Sequence, residues 1–224
     1  MSGNIVVLAV TKMLSGMCTG GISLATRKWV RPVKEFGTVL RGDLTYRDKT
    51  SIQPFDIVDF TLLSPRPKPP HNEDWICDLV RVRPILRGRL VDRLQFLEKH
   101  TEPDSAVEIL QASRSLALIE PSNVEAFFRL DSYSGKYDVR LRVSEMGGRP
   151  LPVTDIRWRA LGRQMIIGRE ELCLSYDDIC EKLGVGRIFV ALGLSRLHEG
   201  RHWPMVIGVH TWPDYNIEID YKNL

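Results

Sequence analysis

No run of eighteen apolar residues occurs in this 224-residue chain, so no segment reads as a membrane-spanning helix. Nothing resembling a basic n-region or a small-residue cleavage site surrounds the first apolar run, Ile5–Val10. That run reads as a strand rather than a signal peptide, and the expected location is the cytoplasm. Cysteine is scarce and scattered, at Cys18, Cys77, Cys173 and Cys180, which excludes a disulfide framework and suits reduced, mostly buried thiols. The phosphate loop Gly-x4-Gly-Lys-Ser/Thr, the dinucleotide fingerprint Gly-x-Gly-x-x-Gly, the zinc motif His-Glu-x-x-His and the nucleophile elbow Gly-x-Ser-x-Gly are all missing. Cys173, Cys180, His198 and His202 follow one another, but Cys-x6-Cys is too wide for a zinc knuckle. Cys180 also falls beside Ile179 and Leu183 on the apolar side of a helical pattern, so the expectation is no metal and no cofactor.

Charge is present but unevenly distributed. The net charge is +3, yet residues 1–100 carry 16 Lys+Arg against 10 Asp+Glu, and residues 101–224 carry 15 against 18. The N-terminal half is therefore the better dock for a polyanion. Of the 31 basic residues 22 are arginine, the side chain suited to bidentate phosphate contacts and to stacking. A solvated surface that simply favours arginine gives the same composition.

Strand signals dominate the apolar patterning. Ile5–Val10 is short and β-branched, Met17–Leu24 and Trp29–Val33 form a hairpin pattern, and Phe55–Leu63 and Trp75–Val80 alternate. The proline-rich stretch Ser64–Pro70 predicts an extended connection. Residues 87–100 change to helical spacing, with Leu90, Val91, Leu94 and Leu97 in phase, and a second short helix is predicted over 103–112. Strand texture returns at 115–120, 125–131, 137–143 and 150–156. After an ambiguous stretch with a helical lean at Trp158–Ile166 comes a punctuated helix, with Ser175 as N-cap and Gly184 as stop. Arg187–Leu194 and Met205–Thr211 close the pattern. Three strands, a helical insertion and two strands is the order of an OB-fold barrel, a five-stranded Greek-key barrel. The predicted fold is mainly β with a few helices: a first OB-like barrel over 1–87, a helical connector over 88–112 and a second OB-like barrel over 113–224. A single larger barrel with helical decoration is the alternative.

Trp29 and Arg31 share one face of their strand, a pair able to stack on a base and hold a phosphate, and Pro32 marks that strand as an edge or as ending there. A similar texture recurs at Arg201-His202-Trp203-Pro204. The candidate nucleic-acid-binding residues are Lys12, Trp29, Arg31, Arg81, Arg157, Trp158, Arg196 and Trp203. Trp29 fits a core position equally well. Acid–base chemistry could draw on Asp155 with His202 or His210, although an ion pair of Asp155 and Arg157 at a strand end explains the same residues.

The apolar first strand, Cys18-Thr19-Gly20-Gly21-Ile22, Trp29-Val30-Arg31-Pro32-Val33, Gly193-Leu194-Ser195-Arg196 and His202-Trp203-Pro204 together resemble bacterial proteins carrying a dual OB-containing domain. The resemblance covers nearly the whole chain. It implies binding of nucleic acids or nucleotides, with a place in bacterial, antiviral-type defence, and it carries over no catalytic residue. The reading favours a module for single-stranded nucleic acid or a nucleotide-like ligand. A nucleotide-processing enzyme or small-nucleotide sensor, and a protein-interaction module in a defence complex, stay open beside it.

Overall fold

The computed structural model describes residues 2–13, 15–102, 110 and 114–219. The helix expected over 103–112 lies almost wholly outside the described residues. In the first half, β1 (Ser2–Met13), β2 (Gly16–Ser23), β3 (Trp29–Val33), β4 (Asp56–Pro65) and β5 (Asp74–Cys77) pair in the order β1-β2-β3-β5-β4, and β4 pairs back onto β1. Every link in this circuit is antiparallel except β3–β5, which is parallel. A further strand, β6 (Ile85–Arg89), adds to the outer edge of β4.

The second half follows the same path. Its strands are β7 (Leu116–Ile119), β8 (Val124–Leu130), β9 (Tyr137–Val143), β10 (Leu151–Pro152), β11 (Glu171–Leu174), β12 (Arg187–Leu194) and β13 (Pro204–Trp212). The backbone carries β7 into β8 through Pro121-Ser122-Asn123. β8 pairs with β9 and β9 with β10, while β13 pairs with β12 and β12 with β7. One parallel bridge, Val153 to Val206, links the end of β10 to β13 and occupies the place that the parallel β3–β5 pair holds in the first half. Helices α2 (Ile156–Met165) and α3 (Tyr176–Leu183) fall between the third and fourth strands of this path, as an OB fold requires.

Three apolar clusters explain the strand patterning. Ile5, Val7, Val30, Val58 and Phe60 fill the interior of the first circuit. Ala117, Val124, Leu141, Trp158, Val190 and Val206 fill the second. The third cluster lies between them and draws on both: Val6, Leu8, Ile22 and Trp29 from the first half, Leu116, Leu118, Phe189, Ala191 and Ile207 from the second, with Phe96 and Leu97 of helix α1 (Arg93–His100). This joint accounts for the unbroken apolar runs. Side chains alternate across a strand, so Ile5 and Val7 point into the first core while Val6 and Leu8 point into the joint. On β12, Ile188, Val190 and Leu192 face the second core while Phe189 and Ala191 face the joint. The joint is tight at Gly208, where a Cβ would lie 2.5 Å from the Leu8 carbonyl oxygen. Hydrogen bonds also cross it, including Lys12 N–H to the Thr154 carbonyl at 3.2 Å.

Some local expectations hold and others need correction. Residues 85–89 are extended along β4, and the helix expected from residue 87 begins only after Asp92, whose carboxylate accepts from Gln95 N–H. The stretch from Trp158 is helical: Asp155 caps α2 by accepting from Arg157 N–H at 2.9 Å. α3 has the anticipated ends, with Ser175 and Asp178 in a reciprocal capping box and Gly184 left-handed at φ 64°. β3 is not an edge strand, since β2 and β5 flank it on either side. Of the four cysteines Cys77 is buried, Cys18 and Cys180 are partly buried, and Cys173 is exposed. No helix among the described residues is long and apolar enough to cross a membrane.

Candidate functional site

At one end the apolar joint opens into a cleft of about 430 Å³. Ala9, Leu116 and Ile207 belong both to the joint and to the cleft wall. Beyond them the lining turns cationic, with Arg31, Lys34, Arg66, Lys68 and Arg196 against the single carboxylate of Asp74. Both halves contribute: Arg31 stands on β3, Asp74 on β5, and Arg196 in the loop joining β12 to β13.

The floor of the cleft is a three-residue ion cluster. Parallel pairing sets Arg31 directly beside Asp74, and Arg31 N–H also donates to the Glu73 carbonyl at 2.8 Å. Arg31 Nε donates to Asp74 Oδ1 at 2.6 Å, and Arg196 Nη2 donates to Oδ2 at 2.7 Å. One carboxylate thus holds two guanidinium groups and leaves a net positive charge. Arg31 is only 6% exposed, and its Nη2 has no hydrogen-bond partner among the described residues. A buried guanidinium with an unused donor is unfavourable unless something else satisfies it. The adjacent Glu73 does a different job. Its carboxylate accepts from Ser115 N–H at 2.7 Å and Leu116 N–H at 3.1 Å, which ties the start of β7 to β5.

His71 lies beside this cluster with its ring edge-on to His202, centroids 5.2 Å apart. Burial and the charges of Arg31 and Arg196 push its pKa down to about 4, so it is neutral at pH 7. Cys18 lines the cleft as well, and burial raises its thiol pKa, which keeps it protonated. Towards the rim, Lys34 pairs with Asp43 at 2.5 Å, and Arg66 Nη1 donates to the carbonyls of Lys34 and Glu35 at 3.0 and 2.9 Å. These contacts fix the 34–39 segment that forms one lip. Phe36 projects from that lip, 82% exposed.

The residues expected from sequence divide sharply. Arg31 and Arg196 meet at Asp74. Trp29 shares the strand face of Arg31 as anticipated, but that face turns toward the second half, and Trp29 is 6% exposed within the joint. Trp203 stands half-buried on the loop that carries Arg196, its Nε1 donating to the His198 carbonyl at 3.3 Å. Lys12 is exposed, although Thr11 and Met13 on either side of it line the cleft. Arg81 is exposed in a turn closed by Asp78. Arg157 is buried and ion-paired to Asp214 at 2.7 Å. Trp158, 1% exposed in the second core, offers no face for stacking.

Asp155 serves structure, since its second oxygen accepts from Val209 N–H at 2.8 Å and burial raises its pKa to about 6. His210 is buried against Phe55, its pKa lowered to about 3 chiefly by burial, and is neutral at pH 7. Neither residue lines the cleft. Among the described residues no three His, Cys, Asp or Glu side chains gather in a way that could hold a metal ion. Sequence reasoning passed over Glu73 and Asp74, His71, and the rim cations Lys34, Arg66 and Lys68. The available signal was two adjacent acids immediately before the apolar Trp75-Ile76-Cys77, where burial demands cationic partners.

Neither a curated protein nor a solved structure matches the chain. A family model does: residues 3–209 match the dual OB-containing domain. Two strand circuits of the same order, joined through a shared apolar layer, are what that description requires, and the chain belongs to the dual OB-containing domain (DuOB) family.

Proposed function

We propose that this dual OB protein binds single-stranded nucleic acid or a nucleotide-like ligand in the cleft between its two halves. The observation that carries the reading is the lining of that cleft, five cationic side chains against one carboxylate, with a buried arginine donor unpaired at its floor. Arginine forks suit phosphate oxygens. The apolar wall of Ala9, Leu116 and Ile207 suits the flat face of a base or sugar, and Phe36 and Trp203 near the mouth supply aromatic surface for stacking. The cleft volume lies within the ~300–1,000 Å³ of small-molecule sites.

Fluorescence anisotropy with a labelled eight-nucleotide single strand tests the reading. Binding should weaken steeply with salt, because each neutralised phosphate contributes about −0.7 to the log–log slope for single strands. Two or three cleft contacts give a slope of about −1.4 to −2.1, and Arg196→Gln should flatten it by about 0.7. Salt-insensitive binding, or a slope that Arg196→Gln leaves unchanged, would remove the cleft from the account.

A further inference from the structure

Resting on the binding role just proposed, we infer that the floor of the cleft is a phosphomonoester site, so that the ligand enters end first rather than lying through the groove. Arg31, the deeper of the two floor cations, does not stand on an open surface where a continuous strand would track past it. Arg31 is buried at the base of the cleft, and Asp74 holds it and Arg196 in one cluster. Asp74 uses both oxygens on these two arginines, which holds both cations at the floor before any ligand arrives. The unpaired Arg31 Nη2 is the donor left to be satisfied.

A phosphodiester inside a strand brings one negative charge and two free oxygens. A terminal phosphate brings about −1.5 to −2 and three acceptor oxygens. Arg31 and Arg196 less Asp74 leave one positive charge at the floor, and Lys68 and Arg66 in the cleft wall raise it further. That balance matches the doubly charged end group better than the singly charged diester. Size points the same way. Strand-tracking OB grooves cover about 4–16 nucleotides per fold, whereas 430 Å³ is a pocket on the scale of a single small ligand. The end of a strand and a free mononucleotide present the same phosphomonoester, and both are compatible with this floor.

The test uses the full chain and five probes: the same eight-nucleotide strand ending in a 5′-phosphate, a 3′-phosphate or two hydroxyls, and adenosine monophosphate against adenosine. One added charge-assisted contact predicts that a phosphate-ended strand binds about tenfold tighter or better than the hydroxyl-ended strand. Arg196 is half exposed, and Arg196→Gln should abolish that ratio; so should Arg31→Lys, which retains charge but loses the second donor edge. Thermal melts confirm that each variant is folded, and Arg196→Gln carries the test alone if Arg31→Lys is not. Tighter binding of adenosine monophosphate than adenosine, with no strand binding, supports the same floor with a free nucleotide as its ligand. Equal binding of phosphate- and hydroxyl-ended strands overturns the end-first inference and leaves the binding role intact. No binding of any probe at low salt overturns both.

Discussion

Replacing Trp29 by alanine separates a joint residue from a ligand contact. Trp29 is 6% exposed and packs in the cluster shared by the two halves, among Val6, Leu8, Ile22, Phe189 and Ile207. Truncation removes a large aromatic surface and leaves a void that two packed sheets close only in part. Buried Phe or Trp to Ala changes cost about 3–5 kcal/mol. In a domain of this length each kcal/mol lowers Tm by about 2–4 °C, so the expected drop is about 6–20 °C. Oligonucleotide affinity of the folded protein should change less than threefold, because Trp29 is not among the residues that line the cleft. The assay is a thermal melt and an anisotropy titration on one preparation. A Tm within 2 °C of the parent together with a tenfold loss of affinity would refute this placement and make Trp29 a stacking residue.

Other perturbations probe the joint and the buried charges. Gly208→Ala places a methyl group 2.5 Å from the Leu8 carbonyl oxygen, so the β1–β13 contact must spread; the expected cost is about 1–3 kcal/mol by urea unfolding, and an unchanged midpoint would show that the joint yields freely. His71 and His210 have folded pKa values of about 4 and about 3, below the unfolded 6.5, so the stability tied to their neutral forms is held above pH 6.5 and is lost as pH falls toward 4. Each contributes up to about 1.4 kcal/mol per pH unit in that window. Asp155, raised to about 6, works in the opposite direction between pH 6 and 3.8 and offsets one of the two. His210→Gln should therefore flatten the fall in Tm between pH 6.5 and 4.5, and parallel curves for variant and parent would contradict the assignment. Asp214→Ala leaves the buried Arg157 without its ion pair and should cost about 3–5 kcal/mol in the same melts, while a loss below 1 kcal/mol would mean that Arg157 finds water instead.

Much of the strand order was legible because each strand carries its own signal. Ile5–Val10 and Arg187–Leu194 announce themselves by β-branched apolar content, and α3 by its cap and stop. What sequence could not show is which outer faces are covered. An exposed OB barrel would leave Trp29 facing solvent; here β7, β12 and β13 cover that face, and the same covering makes both sides of β1 apolar. Trp158 and Arg157 misled for the same reason. An aromatic beside an arginine reads alike at a binding surface and at a helix start that enters the core, and the partner that settles it, Asp214, lies 57 positions away. An arginine between Val30 and Pro32 on a strand needs a counter-charge. Its counter-charge is Asp74, brought beside it by a parallel pairing across 43 positions. Local periodicity carries no information about such a pairing. The helical spacing of 87–100 was overridden at its start because β4 had an open edge for residues 85–89 to complete.

The most direct measurement is photo-crosslinking of a single-stranded oligonucleotide carrying 5-iodouracil at each position in turn, followed by peptide mapping of the conjugate by mass spectrometry. If the cleft is the site, crosslinks fall on the two segments that form its lips, 34–39 after β3 and 195–203 between β12 and β13, and Arg196→Gln diminishes them. Crosslinks confined to surfaces away from the cleft, such as β6 at 85–89 or the exposed Arg129–Glu171 pair between β8 and β11, would contradict the account.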